Sequence, residues 1–127
     1  MECPFNSSKT PAYYGSYLAV DQLLELQKPY SLVEGKLHAH DEMLFIIVHQ
    51  TYELWFKQIL HELRASCEVL SQPSADDNGP DMNVVVHRLK RIVEIWNLLN
   101  HQVDVLETMT PLDFLDFRSS LEGASGF

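Results

Sequence analysis

The sequence predicts an all-α fold, a helical bundle built on two long antiparallel helices with shorter flanking helices. Two stretches repeat apolar residues at steps of three and four, which is the period of one face of an α-helix. They run from Asp41 to Gln72 and from Met82 to Thr108. The acidic, turn-rich segment between them predicts a reversal of the chain. Strand-like alternation is absent, so we expect only helices and loops.

The first long stretch contains neither Gly nor Pro. Asp41 lies near its start, where a carboxylate complements the positive end of a helix dipole. Its front part, from Met43 to Val48, is apolar all round, and we therefore expect that part to be buried on every side.

Shorter elements are expected on either side of the long helices. Residues 1–13 predict a flexible N-terminal tail, and residues 14–127 make up the helical domain. A short helix is predicted from Tyr17 to Gln27, with Ser16 as its N-cap. A loop is expected from residue 30 to residue 40, before the first long helix begins.

The last helix is predicted to begin at the Thr110–Pro111 pair. Thr is a favoured N-cap residue, Pro is favoured at the first helical position, and Asp113 falls at the third. We expect this helix to run to Leu121 or Glu122, followed by a loop of small residues.

Composition narrows the range of possible functions. Lys and Arg number 9 against 18 Asp and Glu, giving a net charge of −9, which argues against nucleic acid and anionic membranes as partners. Cys3 and Cys67 form no Cys-x-x-Cys pair, which favours a reducing, cytoplasmic compartment over a thiolate metal site. We expect neither a signal peptide nor a transmembrane segment, because residues 1–11 lack a basic and an apolar region and the apolar run from Leu44 to Val48 is too short to span a bilayer.

His49 follows the apolar front of the long helix directly, and it allows two interpretations. An isolated histidine of this kind is usually a core residue bonded to a carbonyl or a carboxylate. Alternatively, it is a functional ring in a dry site, because it shares a helix face with Phe45, Tyr52 and Phe56. Glu53, one turn later, could orient the ring or simply face solvent.

Metal-ligand patterns are weak in this sequence. Neither the Glu-x-x-His pairs of di-iron bundles nor a His-Glu-x-x-His motif occurs. His38 and His40 could seat a metal, although surface histidines are the simpler interpretation. We interpret His87 and His101, on the second long helix, as structural or exposed.

Arg118 is the best candidate for binding an anion. It lies among Phe114, Phe117 and Leu121, where an Arg often only extends its stem toward water. The functional alternative is a bidentate clamp for a carboxylate, which the planar guanidinium suits. The loop from Gly123 to Gly126 could bring backbone N–H groups to the same anion.

Tyr13, Tyr14 and Tyr17 form an aromatic cluster near the N-terminus. Such a cluster often only packs against the core and so holds the terminus in place. It can also cover the pocket of another subunit, since Tyr combines a large apolar ring with a polar tip.

Three segments of the chain carry a resemblance to a known family. The first begins at Tyr14 and contains YGSYL and DQLL. The second begins at His40 and contains HDEMLFII and HQTYELW. The third begins at Leu106 and contains LETMTP, FR and ASGF. The chain closely resembles the N-terminal part of the tryptophan 2,3-dioxygenase family, and the match is collinear from about Tyr14 to Phe127. The middle segment is highly specific.

The resemblance implies a function, a cofactor and an assembly. It implies a haem b enzyme that inserts both atoms of O₂ across the indole 2,3 bond of L-tryptophan and gives N-formylkynurenine. It also implies an all-α homotetramer. The family's proximal His, which binds the iron, lies in a later part of its chain, so we expect a fragment or a shortened relative. The alternative is a non-catalytic helical oligomerisation module derived from the same fold.

The resemblance also implies a role for individual residues. His49 matches the distal residue that hydrogen-bonds the indole N–H, and it would orient the ring rather than deprotonate it, because indole is a very weak acid. The implied substrate-binding residues are Phe45 against the indole, Arg118 at the carboxylate, Tyr14, Tyr17 and Leu18 from a neighbouring subunit, and Leu121 and Ser125. Ser125 and Gly126 are also the implied haem contacts.

Overall fold

A computed structural model describes residues 12–75 and 78–121. It contains five helices and two short strands. In chain order these are α1 Tyr14–Tyr17, α2 Val20–Leu24, β1 Leu32–Val33, β2 Lys36–Leu37, α3 Glu42–Leu70, α4 Pro80–Leu106 and α5 Pro111–Arg118.

The two long helices, α3 and α4, pack against each other in antiparallel directions. The Tyr52 hydroxyl of α3 donates a hydrogen bond to the carbonyl oxygen of Leu99 at 2.7 Å. Further along α3, the Ala65 carbonyl accepts a hydrogen bond from Arg88, which lies earlier in α4, at 2.9 Å. The predicted pair of long antiparallel helices is therefore confirmed, with ends within two residues of those expected.

An apolar cluster fills the space between the two long helices. Its side chains come from the repeating positions that the sequence pattern places on one face of each helix. The buried members are Ile59, Ile92, Ile95 and Leu99, and the half-buried or partly exposed rings of Tyr52, Trp55 and Phe56 pack against them. This cluster holds α3 and α4 together, and the start of α3 in turn contacts α5.

A charged group lies beside this apolar cluster. The buried Glu62 carboxylate accepts hydrogen bonds from Arg91 at 2.7 Å and from Gln58 at 2.9 Å. The hydrogen bond from Arg91 holds the pKa of Glu62 below its ordinary value, against the opposing effect of burial. The pair therefore stabilises the fold above the ordinary carboxyl pKa, and this contribution is lost as the pH falls through the lowered value.

The segment before α3 contains a β-hairpin, so the expectation of only helices and loops was wrong there. Leu32 pairs with Leu37 and Val33 pairs with Lys36 in antiparallel register. Glu34 and Gly35 connect them with φ values of 48° and 76°, the positive pair that a type I′ turn requires. Each strand is only two residues long, which is too short to produce a readable alternation.

The predicted short helix was wrong in its bounds. The chain forms α1 and α2 instead, and they are separated at Ala19, which adopts a left-handed φ of 52°. Ser16 does not cap a helix start: it lies within α1 and its hydroxyl donates to the Tyr13 carbonyl at 3.0 Å. No Gly or Pro marks the break, so the local sequence gives no signal for it.

Two further expectations about helices were wrong in part. Within the front of α3, Phe45 and Val48 are buried, but Ile47 is 44% exposed, so that segment is not covered on every side. The last helix begins as predicted at Pro111 but ends at Arg118, three residues before Leu121.

Across the described parts of the chain, no helix is both long and apolar enough to cross a membrane.

Candidate functional site

The start of α3 and the whole of α5 meet in an aromatic cluster. The ring centroid of Phe45 lies 5.2 Å from that of Phe117 and 6.1 Å from that of Phe114. The two rings on α5 contact each other edge to face at 5.6 Å. Ala39 is buried in the same cluster, and Met109 and Leu121 pack against it.

His49 lies at the edge of this cluster, one turn after Phe45. The two rings stack with centroids 4.0 Å apart and an angle of 29° between their planes. The imidazole Nδ1 is 2.7 Å from the Phe45 carbonyl oxygen. A carbonyl can only accept a hydrogen bond, so Nδ1 carries the proton, and in the neutral ring Nε2 is the acceptor. His49 therefore presents a fixed hydrogen-bond acceptor.

The partner of His49 differs from one of the sequence-based expectations. Glu53 was considered as the group that orients the ring, but the Phe45 carbonyl does so. The ring centroids of Tyr52 and Phe56 lie 6.0 Å apart, and both rings pack against the apolar cluster between α3 and α4. Phe56 also contacts Trp96 of α4, with ring centroids 6.2 Å apart. Among the predicted aromatic neighbours, only Phe45 stacks on His49 in the part of the chain that is described.

Arg118 lies at the C-terminal end of α5 and is exposed. Its guanidinium carbon is 6.0 Å from the centre of the Phe114 ring, at the outer limit of a cation–π contact. Within residues 12–75 and 78–121, no carboxylate forms an ion pair with Arg118. Its donor groups are therefore available to a carboxylate that approaches the cluster.

An apolar cavity of about 420 Å³ lies on another side of His49, between the α2 region and α3. Leu23, Leu26 and Leu54 form its apolar wall, and Glu53 and Lys57 add charges. Neither Phe45 nor Arg118 lines it. His49 thus contributes to two surfaces, the aromatic cluster and this cavity.

The remaining predicted site residues differ in their positions. Leu121 packs against the aromatic cluster. Tyr14 and Tyr17 are 74% and 77% exposed and Leu18 is 44% exposed, so a single chain does not bring them into a pocket. Ser125 and Gly126 lie outside the described residues.

Glu42 has a structural role that the sequence did not reveal. Its carboxylate is 2% exposed and accepts hydrogen bonds from the backbone N–H groups of Tyr30 and Ser31, at 2.7 and 2.8 Å. These bonds hold the segment before the hairpin against the start of α3. The sequence shows only an acidic residue in the first turn of a helix, which is a common surface feature.

Residues that could bind a metal do not cluster in the described part of the chain. The described residues contain no cluster of three or more His, Cys, Asp or Glu that could hold a metal. His87 Nε2 lies 3.3 Å from Arg91 Nη2, and the exposed His101 lies on the same helix.

Comparison with known proteins identifies the family of the chain. A family model described as tryptophan 2,3-dioxygenase matches residues 2–127. The tryptophan 2,3-dioxygenase of Bdellovibrio bacteriovorus is 56% identical over 92% of this chain and 32% of its own length. That of Dictyostelium discoideum is 51% identical over 95% of this chain and 30% of its own.

An animal relative also matches this chain over only part of the relative's own length. The tryptophan 2,3-dioxygenase of Anopheles gambiae is 45% identical, and the match covers 100% of this chain and 35% of the relative. The chain thus spans about a third of the length of these relatives. Because the family model covers nearly every residue, the chain belongs to the tryptophan 2,3-dioxygenase family.

Proposed function

We propose that this chain forms the part of a tryptophan 2,3-dioxygenase that binds and orients L-tryptophan. The reaction is the insertion of both atoms of O₂ across the indole 2,3 bond, which gives N-formylkynurenine. The observation that supports it best is the hydrogen bond between His49 Nδ1 and the Phe45 carbonyl, which leaves Nε2 as an acceptor suited to an indole N–H.

In this proposal His49 orients the substrate and does not remove its proton. The indole N–H is a far weaker acid than imidazolium, so transfer of that proton to the ring is unfavourable. A directional hydrogen bond restricts the orientations that the indole can adopt, and the carboxylate contact at Arg118 would restrict them further. The stacked Phe45 ring, 4.0 Å from His49, limits the positions that the imidazole can adopt and excludes water from one of its faces.

Arg118 would bind the carboxylate of the amino acid. The protein carries a net charge of −9, so an anionic substrate requires a local cation to approach it. Arg118 supplies that cation beside the aromatic ring of Phe114. The two groups together select for an amino acid with an aromatic side chain over a bare indole, because only the amino acid satisfies the guanidinium.

The proposed cofactor is haem b, which supplies the oxygen chemistry when it is bound. Among the described residues, His49 and Phe45 would contact it. The residue that would bind the iron is expected from the part of the longer relatives that this chain does not match. Ser125 and Gly126 stay predicted haem contacts. A cytoplasmic location, with no nucleic-acid or membrane partner, likewise stays a prediction.

We expect His49→Ala to lower turnover of L-tryptophan by about 10- to 100-fold, because the indole loses the hydrogen bond that orients it. The measurement uses a protein of the relatives' full length that contains this chain, called the full-length protein below. Substrate binding should persist, because Arg118 is unchanged. Formation of N-formylkynurenine measures the first effect, and equilibrium binding measures the second.

The exposed His61, on the same helix, gives a matched control, since His61→Ala removes an imidazole away from the cluster. A full-length protein that shows no haem absorption and no turnover would reject the enzyme and favour the oligomerisation module. Equal losses in both histidine variants would reject the orienting role of His49.

The proposal includes a homotetramer in which Tyr14, Tyr17 and Leu18 pack on a neighbouring subunit. Their exposure in a single chain supports this, because contiguous exposed aromatic residues near one terminus are typical of an interface. We expect the double variant Tyr14→Ser and Tyr17→Ser to lower the molar mass measured by light scattering.

Tyr30 provides the control for this experiment, because its side chain is 72% exposed and lies outside the cluster. Tyr30→Ser should leave the assembly intact. A monomeric parent protein, or an unchanged mass in the double variant, would contradict the proposed interface.

A further inference from the structure

Two carboxylates join the start of α3 to the start of α5. The backbone N–H of Asp41 donates a hydrogen bond to Asp113 Oδ2 at 2.9 Å. In return, Asp41 Oδ2 accepts a hydrogen bond from the backbone N–H of Thr110 at 2.8 Å. Asp41 and Thr110 are the N-cap residues of the two helices, and neither caps its own helix through its side chain. Each helix start therefore receives its carboxylate from the other helix.

This reciprocal pair, which we call the aspartate junction, controls the placement of α5. The helix has only eight residues, and Phe117 is its buried residue, with Phe114 and Asp113 half-buried. Aromatic contacts alone tolerate sliding and rotation, because dispersion is weakly directional. Two hydrogen bonds with defined donors and acceptors restrict both movements at the N-terminal end of the helix.

The junction is linked to the candidate site through two short paths. Phe114 directly follows Asp113, and Arg118 lies over its ring. Phe114 and Phe117 contact Phe45, which stacks on His49. Arg118 is five residues beyond Asp113, or roughly 7.5 Å along the helix axis. A rotation of α5 at its start therefore moves the guanidinium relative to the imidazole.

We propose that Asp41 and Asp113 are positioning residues for substrate binding, because their reciprocal hydrogen bonds set the separation between Arg118 and His49. This inference rests on the proposed function. Neither aspartate touches the substrate. Their effect reaches it through Arg118, so it should be specific for substrates that carry a carboxylate.

The test uses steady-state kinetics of the full-length protein. Asp113→Ala should raise KM for L-tryptophan by about 10-fold, because a misplaced anchor weakens binding, and kcat should change much less. Asp113→Asn should behave nearly as the parent, since its amide oxygen still accepts the Asp41 N–H. Asp116→Ala is the matched control, because Asp116 lies on the same helix and is exposed.

A second arm separates positioning from a general structural effect. An indole that lacks the carboxylate, such as tryptamine, should show little change of KM in Asp113→Ala. In an Arg118→Ala background, Asp113→Ala should change KM for L-tryptophan by less than about 2-fold, because the group it positions is absent. Asp41→Ala should give the same pattern. It keeps the hydrogen bond from the backbone N–H of residue 41 to Asp113, so it serves as the second variant if Asp113→Ala does not fold.

The outcomes distinguish this inference from the proposed function. A KM for L-tryptophan that does not change in Arg118→Ala rejects the carboxylate clamp and the positioning role together. If Arg118→Ala raises KM but Asp113→Ala adds its full effect in that background, only the positioning role is rejected. Equal changes of KM for L-tryptophan and tryptamine, or no rescue by Asp113→Asn, also overturn it.

Discussion

Arg118→Lys is expected to weaken the use of L-tryptophan by about 2–5 kcal/mol, provided that the bound substrate desolvates the charge pair, because Arg118 is exposed in the single chain. This corresponds to roughly 30- to 4,000-fold in kcat/KM. The ammonium group of Lys keeps the charge but cannot form two parallel hydrogen bonds to a carboxylate. The planar guanidinium, whose carbon lies 6.0 Å from the centre of the Phe114 ring, can also stack on an aromatic face, which an ammonium cannot.

The measurement compares kcat/KM for L-tryptophan with that for tryptamine in the full-length protein. The loss should be confined to the substrate with the carboxylate. Arg64→Lys serves as the control, because Arg64 is an exposed residue of α3 away from the aromatic cluster. Equal losses on both substrates would mean that Arg118 only extends from α5 toward water and binds no substrate carboxylate.

Leu99→Ala is expected to lower the free energy of unfolding by about 2–5 kcal/mol. Leu99 is 1% exposed and lies in the apolar cluster between α3 and α4, so truncation leaves a cavity that neighbouring side chains cannot fill. The Tyr52 hydroxyl bonds to the backbone carbonyl of Leu99, and that bond is retained in the variant. The expected loss therefore reports on apolar packing.

Leu98 offers a control that differs by one position along the same helix. Its side chain is 46% exposed, so Leu98→Ala should change the free energy of unfolding by less than about 1 kcal/mol. Urea denaturation followed by circular dichroism measures both variants. Similar changes for the two would show that α4 is rotated from the orientation described, with the other face against α3.

The sequence was sufficient to predict the elements that depend on a repeating local pattern. The apolar period across α3 and α4 is sustained for more than seven turns, so it locates both helices and their inner faces. The Thr110–Pro111 pair located the start of α5 because a fixed φ and a missing N–H suit the first helical position.

Short elements were less predictable for a physical reason. The hairpin rests on a two-residue turn in which Glu34 adopts a positive φ, and Glu is not a residue that signals such a turn. The break at Ala19 has no local signal either. With so few residues, contacts to the rest of the structure outweigh intrinsic preference, so the pattern alone cannot locate these elements.

The sequence by itself determined the fold class, the long helices, the family and the identity of His49, Phe45 and Arg118 as candidate site residues. Only the tertiary structure decided which groups contact one another, such as the hydrogen-bond partners of His49, Asp41 and Asp113. Asp41 and Asp113 are 72 positions apart, and each looks like an ordinary cap of its own helix. A local pattern specifies that a carboxylate suits a helix start, but the N–H that it accepts depends on which helix starts are close in space. The packing of Phe117 and Phe114 on Phe45 brings the two helix starts together, and the hydrogen bonds of the aspartate junction then restrict how α5 can slide and rotate.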